Sequence, residues 1–534
     1  MKKRLIIGLY IAISIPIVLH FFHLIDTLQN TPTWTDDFLF LEMIPKLFEG
    51  ANISSILQQL FAPHNEIHRI AFGRVFVALY YFFFHEVDFK QLTILANLQM
   101  LVILIAFFQY LKKENLSYFH LIPITYILFS AFGNLDTYTL IGSLQHTSSI
   151  LFMVWISYGI LYFQDKKWII FLTLFYPFVS TEGLVFIPVI GLILVFQKNK
   201  WTPWYGILGL SIIAFYVFQY HPKQATNISF KSSDLLEIVQ AFLGFIGIFR
   251  LPFSDSYRME IAIVCGVFVM GFLIFTCLNA LKKNTLNSLG FPLLIYVQIM
   301  LTGVLICIGR FPMGDILSTS ITERFLTYGL IGMILVYLLM INQFAFLRNN
   351  AKIGSILSLV FFITSTYFSI VPTKVIAMKL KADLINTFYQ KKSSTYEGQI
   401  DHFNSLHNPK YYQFPKHLIP SSASLDQGFK NATFFPMVGD YYYKTDKNIR
   451  TIYFENLPIK KLHDRYLVIR SIKVPSEFMF SPLLQDENPS KPKKALVWMP
   501  KKSLISGNDF FIFSLDNDKV IEVIKLKGEP SFLK

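Results

Sequence analysis

Between Leu5 and Val371 the chain is a succession of apolar runs, separated by short segments that carry paired lysines or arginines. This pattern restricts the fold tightly. A hydrocarbon core about 30 Å thick admits only helices or closed barrels, because every backbone N–H and C=O inside it must be bonded within the protein. The runs are continuous rather than alternating, so helices are expected. Composition agrees, at 53% hydrophobic and 15% charged residues, against about 25% charged in a soluble domain. After Pro372 the sequence turns mixed, charged and strand-like. The expected architecture is an all-α polytopic membrane domain over residues 1–372, with about eleven spans. An α+β, strand-rich, extracytoplasmic domain over residues 373–534 is expected to follow.

Short loops rich in lysine and arginine stay in the cytoplasm. The basic marks are Lys2-Lys3-Arg4, Lys112-Lys113, Lys166-Lys167, Lys198 with Lys200, Lys282-Lys283, and Arg348 with Lys352. An even number of crossings must separate each from the next. The spans that satisfy this are Leu5–Ile25, Gln91–Tyr110, Phe119–Phe132, Ser148–Phe163, Trp168–Val179, Gly183–Phe196, Trp204–Tyr220, Met259–Leu281, Gly290–Gly309, Phe325–Met340 and Ile353–Val371. Ile70–Phe84 is short, carries Arg74 and would break the parity, so it is read as interfacial or re-entrant, as is Leu235–Phe249. The N-terminus is then cytoplasmic. The outer face receives His23–Lys90, Gly133–Thr147, the turn at Glu182, His221–Arg258, Arg310–Arg324 and everything beyond Pro372.

The net charge of +14 raises a nucleic-acid reading. It is rejected, because the basic residues punctuate apolar runs and form no stripe with interleaved aromatics. Cys265, Cys277 and Cys307 all lie inside apolar runs and read as small hydrophobes.

The polar residues hardest to explain as packing fall in the outer segments. Trp34-Thr-Asp-Asp-Phe38 sets Asp36 and Asp37 beside the first span, where carboxylates are costly unless solvated, paired or used. One of them suits a general base, and Thr35 or Asp36 equally suits a cap on the amphipathic Phe38–Leu60 stretch. Pro63-His-Asn-Glu-Ile-His-Arg69 follows. His64 and His68, four apart, have the spacing to grip zinc, but Glu66 lies off the helix face that a zinc protease motif needs. The preferred reading is a substrate pocket, with Arg69 on phosphate oxygens and Glu66 on sugar hydroxyls or paired to Arg69; a solvated loop with an internal ion pair competes. Arg310 and Arg324 flank the loop between two spans on the face that disfavours arginine, which points to a bound anion. Snorkelling is the bland alternative. Gln145, His146, Asp136 and Glu182 are lesser candidates at helix ends.

Asp36-Asp37 in the first external loop, the many spans and the outer C-terminal domain resemble the GT-C superfamily of bacterial membrane glycosyltransferases. His64-Asn-Glu-Ile-His-Arg69 and Thr322-Glu-Arg-Phe325 are similar to a His-Asn-Glu-His-Arg-like and a Ser-Arg-Tyr-like element of its members, with Ile67 inserted and phenylalanine in place of tyrosine. The resemblance implies a polyprenyl-phosphate sugar donor and a cell-envelope glycan or lipid-linked acceptor. It implies work at the periplasmic face of the inner membrane, among membrane lipids. Asp36 or Asp37 would be the base, Arg310 or Arg324 would hold donor phosphate, and a divalent ion, Mg or Mn, is left open. Two alternatives stand beside it: a transporter or flippase of lipid-linked glycans, and an O-antigen-type polymerase or ligase. A transporter would spread polar residues through the midplane and often show an internal repeat; here they gather at one face and no repeat is evident.

Overall fold

The computed structural model describes residues 2–28, 35–50, 52–64, 69–131, 136–218, 232–247, 258–283, 286–310, 325–390, 408, 410–436, 443–445, 449–455, 464–474, 476–485, 494–500 and 508–527. The chain divides into two compact units. One is Met1–Gln29, Lys46–Phe84 and Phe89–Ile370; the other is Asn30–Pro45, His85–Asp88 and Val371–Lys534.

The first unit is helical. In chain order its main helices are α1 (Lys2–Leu28), the end of α2 (Thr35–Phe48), α3 (Ile53–Leu60), α4 (Ala71–Phe84), α5 (Phe89–Lys113), α6 (Leu121–Leu128) and α7 (Leu140–Tyr162). There follow α8 (Lys167–Phe178), α9 (Gly183–Phe196), α10 (Thr202–Phe218), α11 (Ser232–Ile246), α12 (Arg258–Lys283), α13 (Leu286–Arg310), α14 (Leu326–Gln343) and the start of α15 (Ala351–Gln390). Six apolar helical stretches among the described residues are long enough to cross a membrane: α5, α7, Met259–Lys282 within α12, Leu289–Gly309 within α13, α14 and α15. Shorter apolar helices include α4, α8, α9 and α10. α12 leaves Val264, Val267, Phe268, Phe275 and Leu278 exposed, a face that suits lipid. α7 and α14 are largely buried among the other helices.

Local chemistry corrects several expected boundaries. The stretch Phe38–Leu60 is two helices, because Gly50 takes a left-handed φ of 73° and Asn52 caps a new start, its Oδ1 accepting from Ser55 N at 2.8 Å. The acidic pair lies in the first turn of α2. Arg74 is buried within α4, and its guanidinium donates to the carbonyls of Gln59 and, at 3.2 Å, Pro63. It is the C-terminal cap of α3, which explains a charge inside an apolar run. α7 begins at Leu140, not Ser148, so part of the expected loop is helix. Helix α15 runs unbroken through Pro372; proline forfeits one hydrogen bond but its fixed φ is helical.

In the second unit a five-stranded sheet of order β1-β9-β8-β4-β5 comprises Thr433–Pro436, Lys519–Lys527, Asn508–Asp516, Asp464–Ser471 and Phe478–Pro482. The β1–β9 pair is parallel and the others antiparallel. A four-stranded sheet of order β2-β3-β7-β6 comprises Tyr443–Thr445, Ile449–Glu455, Lys494–Pro500 and Leu484–Gln485. Alternation puts Tyr466 and Val468 of β4 and Phe511, Phe513 and Leu515 of β8 on one face. There they form a core with Met378, Ala382 and Ile385 of α15 and with Leu425 and Phe429 of α16 (Ser422–Lys430).

Candidate functional site

A cluster of buried polar side chains in the first unit brings together three of the sequence candidates: His146, Glu182 and Asp136. Its geometry begins with a defect in α7. Residues Ser143–Thr147 form a π-helical turn, an insertion that concentrates at functional positions. Just before it, Asn97 Nδ2 donates to Thr137 O at 2.7 Å and Thr139 Oγ1 to Asp136 O at 2.7 Å, which pins the entry to α7. Gly142 makes this possible: a β-carbon there would stand 2.0 Å from the carbonyl oxygen of Asp136. His146 Nε2 then lies 3.9 Å from Asp136 Oδ2, close enough for ionic attraction and too long for a hydrogen bond. The imidazole meets Phe325 and Tyr328 edge-on, with ring centroids 5.8 and 6.0 Å away. Gln145, its neighbour, is half-buried.

Glu182 stands in the turn between α8 and α9. The turn is tight because Gly183 presses on the backbone of Tyr176 and Pro177, where a β-carbon would lie 2.4 Å from Pro177 N. The Glu182 carboxylate is buried, and its Oε2 accepts from Tyr328 OH at 2.5 Å and from Ser149 Oγ. Ser149 Oγ and Tyr176 OH are 2.7 Å apart, and Gln298 Nε2 donates to the Glu182 carbonyl at 3.1 Å. Phe245 packs against both Phe325 and Tyr328. The donors to the carboxylate are neutral hydroxyls, and no cation pairs with it among the described residues. A buried carboxylate supported by hydroxyls alone is costly.

Ser149, Tyr176, Gln298 and Tyr328 were not singled out from the sequence. Gln298 had a legible signal, an amide in the middle of an apolar span. The two tyrosines and the serine look like ordinary helix residues until the fold turns them towards Glu182.

The remaining sequence candidates are placed as follows. Asp37 is fully buried in the second unit, and the side chain of Asp36 lies outside the described part. His64 and Arg69 are buried in the first unit. Arg69 donates to the carbonyl of Phe61, and its guanidinium lies 4.9 Å from the Phe215 ring and 5.8 Å from that of Tyr216, a cation–π arrangement. Glu66, His68 and Arg324 lie outside the described residues, as does the side chain of Arg310. Among the described residues no three His, Cys, Asp or Glu side chains gather as metal ligands.

No protein-family model matches the chain, and no curated protein or solved structure matches it either.

Proposed function

We propose that the protein is a glycosyltransferase of the bacterial inner membrane. It moves a sugar from a polyprenyl-phosphate-type donor to a cell-envelope glycan or lipid-linked acceptor at the periplasmic face. The reading keeps the expected sidedness, with basic loops inside and the C-terminal domain outside. The observation that carries it is the enclosed Glu182 network: a carboxylate, three hydroxyls and an amide, walled by Phe245, Phe325 and His146. Hydroxyl-recognising groups beside aromatic rings are the chemistry that binds a sugar ring, and such a site discriminates strongly against ligands lacking the hydroxyl.

In the proposed step an acceptor hydroxyl oxygen bonds to the anomeric carbon and its proton passes to Asp36 or Asp37. The bond from anomeric carbon to phosphate oxygen breaks, and the electron pair leaves with the lipid phosphate. Arg310 and Arg324 stabilise the charge on that phosphate. His64, Glu66, His68 and Arg69 line the donor side, and Gln145, His146 and Glu182 the sugar.

The test uses membranes supplied with labelled polyprenyl-phosphate sugar. Asp36→Asn and Asp37→Asn are assayed separately, and the one that removes the base lowers transfer by about 100-fold or more. Undiminished transfer by both removes the catalytic assignment. The burial of Glu182 among helices also favours a proton-coupled flippase of lipid-linked glycans. That reading gains if Glu182→Gln abolishes lipid-linked sugar translocation in vesicles while transfer persists.

A further inference from the structure

Helices α8 and α9 are short. At 1.5 Å per residue they rise about 18 and 21 Å, whereas the hydrocarbon core is about 30 Å thick. Helix α7 serves as a ruler beside them. At the feet of the hairpin, Lys166 Nζ donates to Ile160 O at 2.7 Å and Gln197 Nε2 to the same oxygen at 3.2 Å. At the tip, Glu182 accepts from Ser149. The path from Ile160 to Ser149 is about 16 Å, and α7 continues from Ser149 to Leu140 for about another 12 Å. Gln298, which holds the tip through the Glu182 carbonyl, is the midpoint of α13. Tyr328, in the first turn of α14, reaches the same carboxylate.

The two ends of the hairpin differ in chemistry as well. The feet carry Lys166, Lys167, Lys198 and Lys200, together with Trp168, Trp201 and Trp204. Lys167 Nζ lies 5.9 Å from the Trp201 ring, and Trp168 and Trp204 are 72% and 62% exposed. Lysine and tryptophan together mark a membrane–water interface. The tip, Val179–Gly183, has neither.

Three of its five backbone amides are bonded within the protein. Val179 N and Ser180 N reach Tyr176 O, and Gly183 N reaches Ser180 O. Leu184 N reaches Thr181 O, and the Pro177 carbonyl accepts from Tyr216 OH at 2.6 Å. Local bonds of this kind form in water as well, and a turn at membrane depth requires them.

We propose that Lys167–Phe196 is a re-entrant hairpin: it enters and leaves the bilayer at the lysine-bearing face, and its tip ends inside the membrane as the floor of the Glu182 site. Two apparent crossings become none, and the parity of the basic loops is unchanged. The site is then reached only from the face opposite the hairpin feet. The inference goes beyond glycosyl transfer and does not depend on it.

The test uses the full chain in spheroplasts and inverted vesicles, with the native cysteines replaced. Single cysteines are placed at Asp165 and Lys198 on the feet, at Thr181 on the tip, and at the exposed Ile53 as a surface reference. The expected result is that both foot cysteines react with polyethylene-glycol maleimide from one face. The tip reacts from neither until detergent denaturation. A bimane on the tip cysteine is quenched best by lipids brominated deep in the acyl chain. The same measurements on Ser180→Cys guard against a local defect at Thr181. Tip labelling from the opposite face at the rate of Ile53, strongest quenching by headgroup-level bromines, or feet on different faces overturns the proposal. Feet labelled together from the outer face keep the hairpin and sink the periplasmic reading, so the two failures are separable.

Discussion

At the scale of single residues, the Glu182 network is a balance between desolvation and hydrogen bonding. Two hydroxyls meet one carboxyl oxygen, and a hydrogen bond to a charged group is worth about 1.5–3 kcal/mol against about 1 kcal/mol for a neutral one. Under the proposed function, Glu182→Gln keeps the shape and replaces the carboxyl group, so sugar transfer is expected to fall by about 10- to 100-fold with little loss of folded protein. Tyr328→Phe removes one of the two donors. If the pair acts as a unit, the double variant is hardly worse than Glu182→Gln alone. Fully additive losses, measured as transfer rate per folded molecule, would show that the two residues act separately. Gly142 makes a different demand. A β-carbon 2.0 Å from a backbone oxygen cannot be accommodated by a rotamer change, so Gly142→Ala must shift Asp136 or the start of α7. It is expected to destabilise by about 1–3 kcal/mol, read as a lower thermal midpoint in detergent.

At the scale of elements, the second unit turns on α15. At about 60 Å this helix is twice the length a membrane span needs. Its apolar Ile353–Val371 part is long enough to cross a membrane, and the part beyond carries Lys374, Lys379, Lys381 and Asp383. This distal part docks on the sheet. Asn386 acts there as a surrogate peptide, donating to Phe480 O at 2.9 Å and accepting from Phe480 N at 2.7 Å. Asn386→Leu leaves two buried backbone groups of β5 unsatisfied, and it is expected to cost about 1–3 kcal/mol per group. Hydrogen exchange at Phe480 is the local measure, and unchanged protection there contradicts the role.

Lys381, on the same helix, is held below the usual lysine range by burial, against the attraction of Asp464, Asp516 and Asp518. Its folded value is depressed, so the unfolded chain holds the proton more tightly. Charged Lys381 is therefore a penalty on folding at neutral pH, relieved as pH rises through the folded value towards the free-lysine value of about 10.4. Lys381→Met is expected to hold or raise the thermal midpoint of the full chain at pH 7 and to flatten its rise in alkali. A lowered midpoint with the alkaline slope intact would show that the three aspartates outweigh burial.

At the scale of the whole molecule, what the sequence disclosed follows from the range of each interaction. Apolar runs and strand-like sequence are local, and they announced the helices and the strand-rich second unit. Breaks set by one backbone angle were harder to read. Gly50 splits an amphipathic stretch, while Pro372 fails to split α15. The polar cluster was half legible. Glu182 and His146 stood out as charge at helix ends, whereas Ser149, Tyr176 and Tyr328 gain meaning only from contacts made across four helices. The strongest local motif, the acidic pair, sits in a helix first turn, which capping alone also favours. Sidedness is the one global property that charge encodes directly, because basic loops resist translocation and long domains ignore the rule. On the proposed topology, with the six basic marks inside, the second unit lies outside. Asn517, exposed in the turn between β8 and β9 with a left-handed φ of 51°, is a suitable reporter. Asn517→Cys is expected to react with an impermeant maleimide in intact spheroplasts, while Lys352→Cys reacts only in inverted vesicles. Labelling of both from the same face would mean an even number of crossings between Lys352 and Asn517. That outcome would remove α15 as a membrane span and, with it, the placement of the second unit at the periplasmic face.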